Sequence, residues 1–469
     1  MTPFHSQTNT TAVALAQGSL VLLVGWGVLA FGAVYPWGYW PLVVASVVVA
    51  ALVAAAGHAI DPTAAERCIG LGLGLFAVGA MLQLVPLPVT TLGRVAPETV
   101  QVLQRMDLAV ASRAVQVHEL SIAPRATLVG ISLFVAFAIL GVATTVLFSA
   151  HGARGFARAL VVLGAVVATI GIVQQPMSTG KIYGFWTTID GGTPYGPFVN
   201  RNHFAGWMLM ALPVTLGLLL GSLSRAMRGV RARWRDRLVW FSSAEASQLI
   251  LLSAAAVVMA LVLVLTMSRS GVTSFALAMT LTGAIVARRK WTGGRSGVAL
   301  VYLGFLVIVV ISWVGADVLA SRFSDTDWNE LNARRGAWAD ANDIRSRFPL
   351  AGTGLNTYGT ATVLYQQHDR THRYTEAHND YLQLAAEGGL LLMIPAAVCV
   401  IAFAVAVRRR FLEETSPMSY WLRVGAVTGI ASIALQETVE FSLQMPGNAA
   451  LFAVLCGIAL HRAPARRKT

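Results

Sequence analysis

The chain has 469 residues, of which 56% are hydrophobic and only 12% charged, about half the charge of an ordinary soluble domain. Its formal net charge is +13, but the basic residues fall in short clusters between apolar runs of bilayer-spanning length. That is the pattern of membrane orientation rather than of nucleic-acid binding. A soluble globular protein is thereby excluded, and Cys68, Cys399 and Cys456, all in or beside apolar runs, give neither metal-ligand spacing nor a disulfide framework.

The first 17 residues carry no Lys or Arg. The apolar run that follows lacks a small-residue cleavage site, so it reads as a retained membrane helix. Apolar runs predict transmembrane helices at 13–34, 39–57, 68–86, 127–148, 157–175, 204–222, 248–267, 272–287, 298–316, 389–407, 421–437 and 441–460. Tyr35, Trp37, Tyr39 and Trp40 mark the first outer turn as an aromatic belt. The basic clusters at 225–237, 288–295, 408–410 and 462–468, with Arg67, Arg154, Arg158 and Arg423, all fall on one side if the helices alternate from a cytoplasmic N-terminus. Both termini are then cytoplasmic. Three outer segments are long: 86–125, 177–203 and 317–388. The expected division is helices one to nine over 1–316, the large outer loop over 317–388, and three further helices with a basic tail over 389–469.

The apolar runs hold few charged residues, so the chemistry is expected at the outer surface. In the large loop, Asp327 and Glu330 predict a helix start and Pro349 a stop, giving a helix over 328–348. Arg334, Trp338 and Arg345 share one face of it, and Arg335 points about 100° away. Asp325-x-Asp327 is either a metal-binding pair or helix capping. The Gly-rich stretch 349–354 is either a plain turn or a place where backbone approaches a ligand. His368 and His372 follow in a polar stretch. Thr375 is read as the cap of a second helix over 376–383, ended by Gly388-Gly389, with His378 in its first turn. A helix N-terminus disfavours imidazolium there, and a neutral imidazole at that place is a general base or a surface histidine. Ser268-Arg269-Ser270-Gly271 interrupts an apolar hairpin at its outer end, where Arg269 either snorkels or binds something. The 196–206 stretch brings Asn200, Arg201, Asn202 and His203 to the entry of the sixth helix, with Asn202 as cap or as site residue. Arg201, Arg269, Arg334 and Arg335 on one side of the membrane suit an anionic headgroup, because the guanidinium fork donates two parallel hydrogen bonds to phosphate.

Taken together, 82–88, 196–206, 268–271, 332–338 with 349–354, and His378-Asn379-Asp380-Tyr381-Leu382 resemble the O-antigen ligase and Wzy-type polymerase family of bacterial envelope glycosyltransferases. The resemblance implies an all-α, GT-C-like polytopic protein of the inner membrane with about twelve transmembrane helices and a helical periplasmic loop. It implies metal-independent, inverting transfer of a glycan from an undecaprenyl-diphosphate donor, with no cofactor. The acceptor is lipid A-core in a ligase, or another lipid-linked repeat unit in a polymerase. By motif the catalytic set falls on Arg269, Arg334 and His378. Arg335, Arg201, Asn202, His203, Asn379, Tyr381 and Trp338 are expected around donor or acceptor. A lipid-glycan flippase or transporter is the alternative of another class, and it needs polar residues along the bundle interior.

Overall fold

The computed structural model describes residues 9–58, 60–177, 180–188, 192–226, 243–288, 328–368, 370 and 373–462. The helix expected at 298–316, the Asp325/Asp327 pair, His372 and most of the basic clusters at 225–237, 288–295 and 462–468 lie outside those residues.

In chain order the described elements begin with α1 (Thr10–Leu29), α2 (Pro36–Ala55) and α3 (Ala64–Leu82). A surface stretch follows: β1 (Pro86–Pro88), α4 (Val89–Val95), α5 (Pro97–Met106), α6 (Leu108–Ala111) and β2 (Val117–Glu119). Next come α7 (Pro124–His151), α8 (Arg154–Gln174), α9 (Arg201–Ala226), α10 (Ala244–Leu265) and α11 (Arg269–Arg288). The last group is α12 (Trp328–Arg347), α13 (Tyr358–Tyr365), α14 (Asp380–Glu413), α15 (Pro417–Gln436) and α16 (Pro446–Leu460). Ten of these helices are long and apolar enough to cross a membrane, and α16 is a shorter apolar one. The protein is an all-α polytopic membrane protein.

Local chemistry starts these helices. Thr63 and Glu66 form a reciprocal capping box at α3, and proline opens α2, α7, α15 and α16, where the missing N–H has no intrahelical partner to lose. Inside the bilayer, apolar burial gives helices no reason to prefer each other over lipid, so close backbone approach must hold them together. The central pair α9–α15 does this. A Cβ at Gly217 would strike the Trp421 carbonyl, and one at Gly425 the Pro213 carbonyl. The membrane-spanning stretch of α9 is wholly enclosed by other helices. Peripheral helices turn Leu22, Leu71, Leu251 and Ile285 outward, as a lipid-facing surface requires.

At the end of the bundle where α3 finishes and α9 begins lies a second layer. Here the 86–125 segment and the 328–377 segment, expected as separate loops, form one body. β1 and β2 pair antiparallel, and Val102 and Ile122 share a small core with Ile344, Phe348, Tyr358 and Tyr365. Arg347 and Glu98 close it at 2.7 Å. Gln83 fastens this layer to the bundle. Its amide nitrogen donates to the carbonyls of Ala351 (2.7 Å) and Glu387 (2.9 Å), and its oxygen accepts from Leu355 N (2.9 Å). This settles the Gly-rich stretch. Gly352, at φ 68°, lies so close to the Glu387 carbonyl that no side chain fits. The tight approach is to the protein's own backbone.

Two expectations about helix ends need correction. The helix expected over 376–383 and the one expected over 389–407 are a single element, α14, because the chain passes through Gly389 at φ 51° as a kink and not as a stop. Its cap is Asn379, whose side chain accepts from Leu382 N at 3.0 Å, and not Thr375.

The opposite end holds a buried ion network. Arg423 meets Glu414 at 2.8 Å with both side chains 1% exposed, and Arg410 pairs with Glu66 and Glu413.

Candidate active site

The site is built where four pieces of chain meet: the start of α9, the middle of α12, the residues just before α14, and the 437–444 turn between α15 and α16. The last of these is the short connection between the helices expected at 421–437 and 441–460.

Glu440 is the common point. It is fully buried. Its Oε1 accepts from Arg334 Nη2 at 2.8 Å and from Asn202 Nδ2 at 2.7 Å. Arg334 Nη1 also donates to the Val439 carbonyl at 3.2 Å. The other carboxylate oxygen, Oε2, faces His378 Nδ1 at 3.8 Å. That is ion-pair reach but too long for a hydrogen bond. Burial alone pushes the Glu440 carboxyl up. The His378 imidazole and the Arg334 guanidinium, with a smaller contribution from His203, outweigh it and hold the carboxyl below its ordinary value.

His378 is not in the first turn of a helix, as the sequence reading had it. It precedes the cap of α14 and has φ 50°, a left-handed conformation uncommon for a residue with a Cβ. Several bonds hold it there. Trp338 Nε1 donates to the His378 carbonyl at 3.1 Å, and Asn379 Nδ2 donates to the Thr438 carbonyl at 2.9 Å. Asp380 N donates to the Glu437 carbonyl at 3.1 Å, and Tyr381 Oη donates to the Ala434 carbonyl at 2.7 Å. The His-Asn-Asp-Tyr run is thus a clamp onto the α15–α16 turn, and the imidazole is the group it presents. The ring packs edge-on against Phe441, centroids 4.8 Å apart.

His203, expected near substrate, is buried. Its ring packs on Phe441, centroids 4.6 Å apart, so Phe441 lies between two histidines. Asn202 is not the cap of α9: Asn200 Oδ1 accepts from Asn202 N at 2.8 Å, which frees the Asn202 amide for Glu440. Arg335 is exposed and lies off the face that carries Arg334 and Trp338. Arg345 bonds Asn342 on its own helix.

Ser268 Oγ accepts from Gly271 N at 3.2 Å and so caps α11, leaving Arg269 as its first residue. Gly271 packs against the Ala205 side chain, so this hairpin end sits on the first turns of α9. Arg201 lines a cavity of about 270 Å³ with Gln174, Tyr195, Thr266 and Met267. The Arg201 and Arg269 segments therefore lie together at this end of the bundle.

Behind the site, the Glu437 carboxyl is 1% exposed. Burial, then the Asp380 carboxyl beside it, pushes it well above its ordinary value. Gln444 Nε2 donates to Asp380 Oδ1 at 2.6 Å. No cluster of three or more metal-ligating side chains occurs among the described residues. Glu437 and Glu440 were missed because acids at a hairpin end look like turn residues. The usable signal was two carboxylates between strongly apolar helices, where an uncompensated charge is costly.

No curated protein matches the chain. Residues 254–397 match the family model described as O-antigen ligase, Wzy_C. The matched segment runs from α10 into α14 and contains Arg269, Arg334 and His378. The residues around Asn202 and Glu440 lie outside it. Over residues 254–397, then, the chain is similar to the O-antigen ligase family.

Proposed function

We propose that this protein moves a glycan from an undecaprenyl-diphosphate donor onto an acceptor hydroxyl at the periplasmic face of the inner membrane, as an O-antigen ligase with lipid A-core as acceptor. The observation that carries the reading is the convergence of Arg334 and His378, 44 residues apart in sequence, on one buried carboxylate at the mouth of the bundle. A cation and an imidazole side by side suit a reaction in which an anion leaves and a proton is taken up.

In this reading the acceptor oxygen attacks the anomeric carbon from the face opposite the diphosphate and inverts it. The bond from that carbon to the phosphate oxygen breaks, and undecaprenyl diphosphate leaves with the electron pair. The hydroxyl proton goes to His378. Arg269 and Arg334 stabilise the growing diphosphate charge, the task a divalent cation performs in other transferases. Arg201 extends the cationic surface along the cavity it lines. The polyprenyl tail lies in lipid between helices. The basic residues Arg410, Arg423 and Arg462 at the end opposite the site support a periplasmic site and cytoplasmic termini.

A flippase is less well supported. From Phe204 to Leu223 the enclosed helix α9 is apolar apart from Thr215 and Ser222, and along that stretch it offers no polar path.

The purified protein, given the lipid-linked glycan and an acceptor, should release undecaprenyl diphosphate in step with glycan transfer. Translocation of the donor across proteoliposomes without transfer contradicts the reading. In a deletion strain, loss of all attached polymer identifies a ligase, whereas a single repeat unit left in place identifies a polymerase.

A further inference from the structure

We propose that Glu440 is a positioning residue for His378: it fixes the imidazole with Nδ1 inward and Nε2 toward the acceptor, and it balances the charge His378 gains when it takes the acceptor's proton. The inference rests on the reading of His378 as the base.

The geometry supports it in three ways. Glu440 is anchored from two directions, by Arg334 on α12 and by Asn202 on α9, both through Oε1. A carboxylate held so firmly by one oxygen keeps the other in a fixed place. That other oxygen, Oε2, has no hydrogen-bond partner among the described residues and is the one 3.8 Å from His378 Nδ1, which also has none. The two atoms face each other and stop short of a hydrogen bond. Phe441 packs on the ring, and Trp338 holds the His378 backbone through its carbonyl.

An imidazole that uses Nε2 as a base must carry its proton on Nδ1, and an acceptor beside Nδ1 selects that tautomer. When Nε2 takes a second proton, the ring becomes a cation in a partly buried place. The anion of Glu440 stabilises that cation. The other ionisable groups around the ring are Arg334, His203 across Phe441, and Tyr374 at an edge-on 6.1 Å. Asp380 follows the segment and Glu437 backs it, the Asp380 amide donating to the Glu437 carbonyl.

Glu440→Gln tests this. The amide retains the size of the side chain and an oxygen for Arg334 and Asn202, but not the charge. Its kcat should fall about 10- to 100-fold, a fraction of what a general base contributes, with the donor KM nearly unchanged. The acid limb of the kcat–pH profile should move to lower pH, because the imidazolium has lost its counter-charge. Glu440→Asp, which restores the charge one methylene short, should recover part of kcat and return the limb toward its wild-type place. If Glu440→Gln fails to accumulate, Glu440→Asp stands alone, with reduced kcat and retained donor KM expected. Wild-type kcat in the variant that folds, or an unmoved acid limb in Glu440→Gln, overturns the proposal. A wild-type protein that transfers no glycan, or a fully active His378→Ala, overturns instead the reading it rests on.

Discussion

At the residue scale, the site is organised by one buried charge and the groups that answer it. Arg334 and Arg335 are neighbours in sequence, yet only Arg334 reaches Glu440, because a helix turns about 100° per residue. Removing a partner from a buried pair leaves an uncompensated charge, which costs about 3–5 kcal/mol. Arg334→Ala should therefore lower the thermal midpoint as well as abolish transfer, while Arg335→Ala should do neither. A midpoint and activity assay on both variants checks this, and equal effects contradict it. Arg334 and His378 were singled out in the sequence by the motifs they share with the O-antigen ligase family, and the structure brings both to one carboxylate. Glu440 was not, because its role depends on contacts with residues 106 and 238 positions away. Asn202 stayed open between cap and site residue for a related reason. Capping residues at successive positions look alike, and only tertiary structure shows which one is left for another partner.

At the element scale, the α15–α16 turn holds the site's histidine in a strained place. Glu437 begins that turn, and burial beside Asp380 raises its carboxyl. A carboxyl whose folded pKa is raised contributes stability that is full below its ordinary value, about 4.3, and is lost as pH rises through the raised value. Glu437→Gln removes that loss. The wild-type midpoint should fall more steeply than that of Glu437→Gln as pH rises from about 5 to 9. Parallel curves contradict the assignment. Gln83 offers a second test at this scale. Gln83→Ala leaves the Ala351 carbonyl and the Leu355 amide without their bonds and removes one of the two that the Glu387 carbonyl accepts. At about 1–3 kcal/mol for each unsatisfied group, it should destabilise the protein by several kcal/mol. A midpoint within a degree or two of wild type contradicts the clamp. Most spanning helices could be read from composition alone, since runs of about 20 apolar residues have few other uses. The start of α14 could not. Gly388-Gly389 has the composition of a terminator, and only packing against Pro349 and Leu350 makes Gly389 a kink within a longer helix.

At the scale of the whole molecule, charge is segregated to two ends of an apolar bundle. One end carries an ion network that is largely paired, with Arg410, Arg423 and Arg462 each meeting a carboxylate. The other carries Arg201, Arg269, Arg334 and His378 with the layer formed by 86–125 and 328–377. The sequence located both sets of residues. That the first and third outer segments share a core was hidden, because Ile122 and Ile344 meet only after the intervening helices are in place. The proposed orientation predicts that a cysteine placed at Arg335, in a background lacking the three native cysteines, reacts in whole spheroplasts with a membrane-impermeant maleimide. Labelling only after lysis contradicts it. The central claim is that His378 takes the acceptor's proton in glycan transfer from a lipid diphosphate. The most direct measurement is the single-turnover rate of purified wild type and His378→Ala with the same donor and acceptor. A loss of about 100-fold or more in the variant, as expected when a general base is removed, with donor binding retained, is the predicted result. A wild-type rate in His378→Ala contradicts the account.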